Sequence, residues 1–179
     1  MLLKDYLPNI NKKFKNLNFS GLAFNSKEVK KNYIFIAIKG DRFDGNNYIN
    51  DAIKNGAKII ISSKFKDQIK NNIIYLKQKN PRQILSNLSS QIFKKKPQNL
   101  IAVTGTNGKT SIANFYYQIL KKNKKKVASF GTLGISGKKK IENTSNTTFD
   151  PIKIGKNLNY LEKKKINNVI LEASSHGLK

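Results

Sequence analysis

The sequence predicts an α/β protein of two units: a small N-terminal α/β unit, then an incomplete parallel-sheet unit carrying a phosphate loop. Three observations predict it. Apolar runs of strand length alternate with segments whose apolar residues recur at helical spacing. A basic, proline-bearing stretch at 94–98 separates two such series. The second series opens with a glycine turn set between a strand and a helix. Alternation of this kind implies parallel strands joined by crossover helices.

In the first unit, read over 20–63 and onward, residues 33–38 form a strand that ends at Gly40, and 41–45 carry turn chemistry. Tyr48, Ile49, Ala52 and Ile53 have helical spacing, with Gly56 placed to cap the helix C-terminus. Residues 58–61 and 73–76 are the next strands. A helix follows from Pro81, with Ile84, Leu85, Leu88, Ile92 and Phe93 as its apolar stripe. A boundary is expected at 94–98, dividing the chain into 1–95 and 96–179.

The second unit then runs as a strand at 99–104, a helix at 109–122, a strand at 127–130 and a glycine-rich hairpin region from 131 to about 146. A helix with Ile152, Ile154, Leu158 and Leu161 on one face comes next, then a strand at 169–173. Leu100, Ile101, Ala102 and Val103 read as a buried parallel strand. There is no internal repeat. A doubly wound domain normally continues past such a last strand, so the sequence reads as the front part of a longer protein.

The most specific stretch is Ala102-Val-Thr-Gly-Thr-Asn-Gly-Lys-Thr-Ser111. Gly105 and Gly108 let the backbone turn with its amides facing inward, which makes an anion-binding concavity, and the following helix N-terminus adds its dipole. Lys109 is placed to reach β- and γ-phosphates, and the Thr110 hydroxyl to ligate magnesium. The general pattern G-x-x-x-x-G-K-[ST] would put glycine at 103, where this chain has Val103. The competing reading is an ordinary turn with a capping glycine and a surface lysine; the strand before and the helix after favour nucleotide binding.

Composition bounds the chemistry. The 179 residues are 38% hydrophobic and 9% aromatic, enough for a packed core. With no cysteine, disulfides and thiolate metal sites are excluded, and the single histidine, His176, excludes an all-histidine cluster. No apolar run is long enough to span a bilayer, and the N-terminus lacks a secretory signal, so a cytoplasmic protein without membrane insertion is expected. The net charge of +25 could serve a polyanionic partner such as nucleic acid. The lysines are scattered, however, and lysine, asparagine and isoleucine are abundant throughout, so the charge reads as compositional drift and no nucleic-acid partner is expected.

Other residues are read with their alternatives. Glu172 ends the last strand, where the carboxyl ends of parallel strands form the ligand crevice; it either completes a magnesium site with Thr110 or pairs with a lysine, and the phosphate loop favours magnesium. Asn146, Thr147 and Thr148, taken alone, read as the approach to a helix N-cap at Thr148 or Asp150. Ser174, Ser175 and His176 do not make a catalytic triad by adjacency, and read as a polar substrate-contact loop.

Together these segments resemble the Mur ligases. Residues 103–110 are similar to the ATP loop of that family and of its folylpolyglutamate synthase relatives, including the departure at 103. Residues 171–178 resemble the E-x-S-S-H-G-L segment of the MurE type, and 131–134 and 146–151 fit the same type. In the first unit, Asn25-Ser26-Lys27 stands for D-S-R, and Phe35-Ile-Ala-Ile-Lys-Gly40 with Asp44-Gly45 for F-V-A-x-x-G…D-G. Lys27 replaces an arginine, losing its bidentate fork, and Phe149 stands where proline is common.

The resemblance implies a UDP-substrate-binding domain at 1–95 and a truncated ATP-binding domain at 96–179, without the C-terminal ligase domain. It implies that Phe24, Ser26, Asp41, Arg42 and Phe43 contact the UDP end of the substrate. Gly105, Thr106, Asn107, Gly108, Lys109, Thr110 and Ser111 would hold ATP, and Thr110 and Glu172 would hold Mg2+. Asn146, Thr147, Thr148 and Ser174 would contact the muramoyl-dipeptide, with Lys109 and His176 as the catalytic positions. The implied activity is ATP-dependent addition of a diamino acid, meso-diaminopimelate with lysine as the rival, to UDP-MurNAc-L-Ala-D-Glu through an acyl phosphate, in peptidoglycan synthesis. The 179-residue chain alone is expected not to ligate. The rival readings are a binding-only UDP-sugar or nucleotide module and, from charge alone, a basic nucleic-acid-binding protein. The sequence is silent on oligomeric state.

Overall fold

The structure, a computed structural model, describes residues 1–40, 43–131, 134–136 and 150–173. It divides into two compact units, Met1–Ile92 and Phe93–Lys179.

The first unit is built on β1 (Gly21–Ala23), β2 (Tyr33–Ile36), β3 (Ala57–Ser62), β4 (Gln68–Lys70) and β5 (Ile73–Lys77), in the order β1-β2-β3-β5-β4. The first four strands in that order are parallel. β2 and β3 lie inside the sheet, and Ile34, Phe35, Ile36, Ile59, Ile60 and Ile61 are fully buried. A strand covered on both faces needs such a continuous apolar run, and each buried side chain contributes about 2 kcal/mol of transfer free energy. Helices α1 (Ile49–Lys54) and α2 (Pro81–Ile92) flank the strands in sequence, and α2 buries Leu85 and Leu88. Gly56 follows α1 at φ +105°, the left-handed stop read from the sequence. The N-terminal segment also enters the core: Leu3, Phe14 and Phe19 are buried, with Phe19 edge-on to Tyr6.

The second unit holds β6 (Asn99–Val103), β7 (Val127–Gly131), β8 (Gly134–Ser136) and β9 (Asn168–Glu172), in the order β6-β9-β7-β8. Its described helices are α3 (Lys109–Lys122) and α4 (Pro151–Lys163). Asp150 caps α4, accepting from the Lys153 N–H at 2.8 Å, and Pro151 supplies the preset first turn. Ala128, Phe130, Leu158, Leu161 and Val169 form the core between the sheet and α4.

Two expectations need correction, and each parallel sheet carries one antiparallel edge: β8 pairs with β7 where a hairpin region was expected from 131, and β4, which no run of the sequence announced, pairs with β5. Asn71 and Asn72 take positive φ between β4 and β5, the two-residue turn that lets a strand reverse at the sheet edge. The strand expected at 33–38 ends at Ile36, because the chain folds back on itself beyond it, with the Gly45 N–H donating to the Ile38 carbonyl. Finally, β6 is parallel to β9 but not buried: it lies at the sheet edge, with Leu100 40% and Ile101 39% exposed. Consecutive strand residues face opposite sides, so neither face of β6 is fully covered by the described residues.

Candidate active site

The phosphate loop is assembled where three strands of the second unit end. β9 lies between β6 and β7, and its last residue, Glu172, pairs in register with Val103 of β6. On the other side Leu171 pairs with Phe130, which brings Gly131 beside Glu172. The loop leaves β6 after Val103, passes Gly105 at φ +146° and reaches Gly108 at φ +79°, where α3 begins. A Cβ on Gly108 would meet nothing within 4 Å, so the requirement for glycine there is torsional rather than steric.

Two contacts define the geometry of the loop. The Lys109 ammonium turns back over it, donating to the carbonyls of Gly105 at 2.6 Å and Thr106 at 3.1 Å. The Thr110 hydroxyl donates to Glu172 Oε2 at 2.8 Å, across 62 residues of chain. Glu172 is only 6% exposed, so a carboxylate is held beside a hydroxyl at the base of the loop. The Glu172 carboxylate faces Thr110, the residue with which the magnesium reading joins it. No group of three or more His, Cys, Asp or Glu gathers among the described residues. A divalent ion here would find hard oxygens, one carboxylate and one hydroxyl, and take the rest of its shell from phosphate and water, which suits magnesium.

In the first unit the candidate residues follow the carboxyl ends of its parallel strands. Phe24 and Ser26 follow β1, the 37–45 segment follows β2, and Lys64 follows β3. Phe24 is half-buried and Ser26 buried, the latter's carbonyl accepting from Asn55 Nδ2 at 2.9 Å. Phe43 is 70% exposed, and its carbonyl accepts from the Gly40 N–H at 2.9 Å. Four residues that sequence reasoning did not single out as site residues tie this end together. Asp44 accepts from the Asn46 N–H at 2.9 Å, Asn46 Nδ2 at 2.6 Å and Lys64 Nζ at 2.8 Å. The fully buried Ser62 donates to Asn46 Oδ1 at 2.6 Å. Lys64, hydrogen-bonded to Asp44, and then the Asn46 donors hold the Asp44 carboxyl well below the usual carboxylate range.

In the second unit the 105–111 loop thus carries Lys109 over the Gly105 and Thr106 carbonyls and sets Thr110 against Glu172; in the first, Phe24 and Ser26 follow β1 and Phe43 follows β2. Asp41, Arg42, Asn146, Thr147, Thr148, Ser174 and His176 lie outside the described residues. Among the described residues no helix is long and apolar enough to cross a membrane.

Comparison with known proteins matches both units. The "Mur ligase family, catalytic domain" profile fits residues 18–102, and the "Mur ligase middle domain" profile fits residues 103–179. A UDP-N-acetylmuramoyl-L-alanyl-D-glutamate–2,6-diaminopimelate ligase of Rickettsia prowazekii is 41% identical over 174 residues, covering 95% of this chain and 36% of that protein. A ligase of the same name from Wigglesworthia glossinidia brevipalpis is 39% identical over 186 residues, covering 98% and 37%. A solved structure of a ligase of that name superposes with a TM-score of 0.78 at 27% identity, over 99% of this chain and 37% of that one. The MurF ligase of Thermotoga maritima in complex with ADP gives 0.58 at 27% identity, over 86% and 32%. The chain spans about a third of the length of the curated relatives it matches. With one unit matching each of two successive domains and a phosphate loop set against Glu172, the chain belongs to the Mur ligase family, whose N-terminal and middle domains it comprises.

Proposed function

We propose that this chain supplies the UDP-substrate-binding and ATP-binding domains of a cytoplasmic, ATP-dependent amide ligase of peptidoglycan synthesis. The enzyme adds a diamino acid, meso-diaminopimelate, to UDP-MurNAc-L-Ala-D-Glu. The observation that carries this is the Thr110–Glu172 pair at the base of the glycine loop, a nucleotide-phosphate site built from oxygen donors. A side-chain carboxylate of the D-Glu residue attacks the γ-phosphorus of ATP, the bond to the ADP oxygen breaks, and an acyl phosphate forms. The amine of the diamino acid then attacks the acyl carbon, loses a proton, and phosphate leaves.

Phosphoryl transfer of this kind depends on positioning and charge neutralisation, and needs no protein nucleophile. The loop amides of 105–111 hold the phosphates. Lys109 exchanges its carbonyl partners for phosphate oxygens, and its charge-assisted bonds contribute about 1.5–3 kcal/mol. Thr110 and Glu172 would hold magnesium, which when bound neutralises charge on the β- and γ-oxygens. Phe24, Ser26, Asp41, Arg42 and Phe43 bind the uridine end, while Asn146, Thr147, Thr148 and Ser174 orient the muramoyl-dipeptide beside His176.

Calorimetric titration tests this. ADP with magnesium and UDP-MurNAc-L-Ala-D-Glu should each bind the chain. Lys109→Ala should weaken ADP about 10- to 100-fold, the loss of one charge-assisted contact, and leave the UDP-linked ligand unchanged. Equal ADP affinity in the variant would defeat the assignment of the loop.

A further inference from the structure

We propose that Gly131 is a positioning residue for Glu172: the missing side chain at 131 is what allows the Glu172 carboxylate to stand against Thr110. The inference rests on the reading of Thr110 and Glu172 as magnesium ligands, and adds to it a third residue that contributes by having no side chain.

The argument is steric. Gly131 ends β7 beside Glu172, the last residue of the neighbouring strand β9, and both residues are buried. A Cβ built on Gly131 would overlap the Glu172 side chain at three atoms, Cγ, Cδ and Oε1. On its other side the carboxylate is fixed by the Thr110 hydroxyl at 2.8 Å. The carboxylate is therefore held between the backbone of β7 and the start of α3, and any side chain at 131 must displace it. Backbone torsion does not explain the glycine: the described glycines with positive φ are Gly56, Gly105 and Gly108. A strand glycine without a torsional reason marks a place where another group approaches the backbone closely, and here that group is the carboxylate of the candidate site.

Gly131→Ala should push Glu172 away from Thr110, whereas Glu172→Asp, one methylene shorter, should make room for the added methyl. Two readouts on the whole chain test this. The first is ADP affinity in excess magnesium and in EDTA. The unsubstituted chain should bind ADP more tightly with magnesium. Gly131→Ala should lose about 10- to 100-fold in magnesium, the range for disturbing a group that orients a metal ligand, while its affinity in EDTA holds. Gly131→Ala/Glu172→Asp should regain a magnesium increment. The second readout is the unfolding midpoint. Gly131→Ala should lower it in the native background but not in the Glu172→Ala background, where the clash is gone.

The outcomes separate. If the unsubstituted chain binds ADP no more tightly in magnesium than in EDTA, or if Glu172→Ala keeps the full magnesium increment, the magnesium reading fails; the unfolding cycle still decides the steric claim. If Glu172→Ala loses the increment while Gly131→Ala keeps it, the site stands and the positioning role is overturned. Should Gly131→Ala fail to fold, recovery of folding in the double variant with aspartate supports the proposal, and failure to recover overturns it.

Discussion

Asp44 shows how much of the strand-end cluster of the first unit depends on one ionised group. Its carboxylate accepts from Lys64 Nζ and from both Asn46 donors, and Asn46 is in turn held by Ser62. Lys64 comes first among the causes that depress its pKa below the ordinary 3.8. A carboxyl with a depressed folded-state pKa contributes stability that is fully present above the unfolded value and is lost as pH falls through the folded one. Replacement by Asp44→Asn should therefore cost stability at about pH 7, and the gap to the native chain should narrow as the pH is taken from about 4 towards about 2. Lys64 is half-exposed, so added salt should also shrink the gap. Denaturant unfolding of both proteins across that range measures it; a gap independent of pH would mean that shape rather than charge holds the turn. Asp44 entered the sequence reading only as part of a motif, and Ser62 and Lys64 not at all, because a contact across 16 or 20 residues leaves no local pattern. Thr110 and Glu172 are 62 residues apart and were still legible, since each sits in a segment with its own signature: a glycine loop on one side, a strand-end carboxylate on the other.

At the scale of elements, the long helices and interior strands could be read because their periodicity is repeated many times. The helix expected at 109–122 coincides with α3, and the apolar runs Ile34, Phe35, Ile36 of β2 and Ile59, Ile60, Ile61 of β3 are fully buried. β4 escaped because Gln68, Ile69 and Lys70 are all exposed and too few to show alternation, although Asn71-Asn72 is itself a turn signal. The helix ends carry the clearest energetic consequence. α3 and α4 finish the same way: Lys125 N–H reaches back to Leu120 and Lys124 N–H to Lys121, while Ile166 N–H reaches Leu161 and Lys165 N–H reaches Glu162. This paired pattern puts the residue after the C-cap in the left-handed region, and here both are lysines, Lys124 at φ +57° and Lys165 at φ +56°. A side chain with a Cβ costs about 1–2 kcal/mol in that conformation, partly offset by the greater freedom glycine has in the unfolded chain. Lys124→Gly and Lys165→Gly should each stabilise the protein by about 0.5–1 kcal/mol, visible as higher unfolding midpoints that add in the double variant. Lower midpoints would mean that the lysine side chains contribute more at these ends than the backbone strain costs.

At the scale of the whole molecule two opposing tendencies meet. α3 uses Ala113 as its buried contact, yet Ile112, Phe115 and Ile119, spaced along a different face, are 52%, 62% and 59% exposed. An apolar stripe on a second face is the mark of a helix meant to be covered on more than one side. The edge of β6, which pairs with no other strand than β9 among the described residues, is likewise a template for further pairing. Against association stands the net charge of +25, whose repulsion acts over about 30 Å in about 0.01 M salt but only about 8 Å in about 0.15 M. The chain should therefore stay dispersed at low ionic strength and self-associate as salt rises, with the molar mass from light scattering increasing along the series. The variant Phe115→Glu/Ile119→Glu separates the two forces. It lowers the net charge and so weakens repulsion, which by itself would promote association. If the apolar stripe drives contact, the variant nevertheless stays dispersed at salt concentrations where the native chain does not. A variant that associates more readily than the native chain would show that charge alone governs the behaviour, and that the stripe on α3 contributes nothing to it.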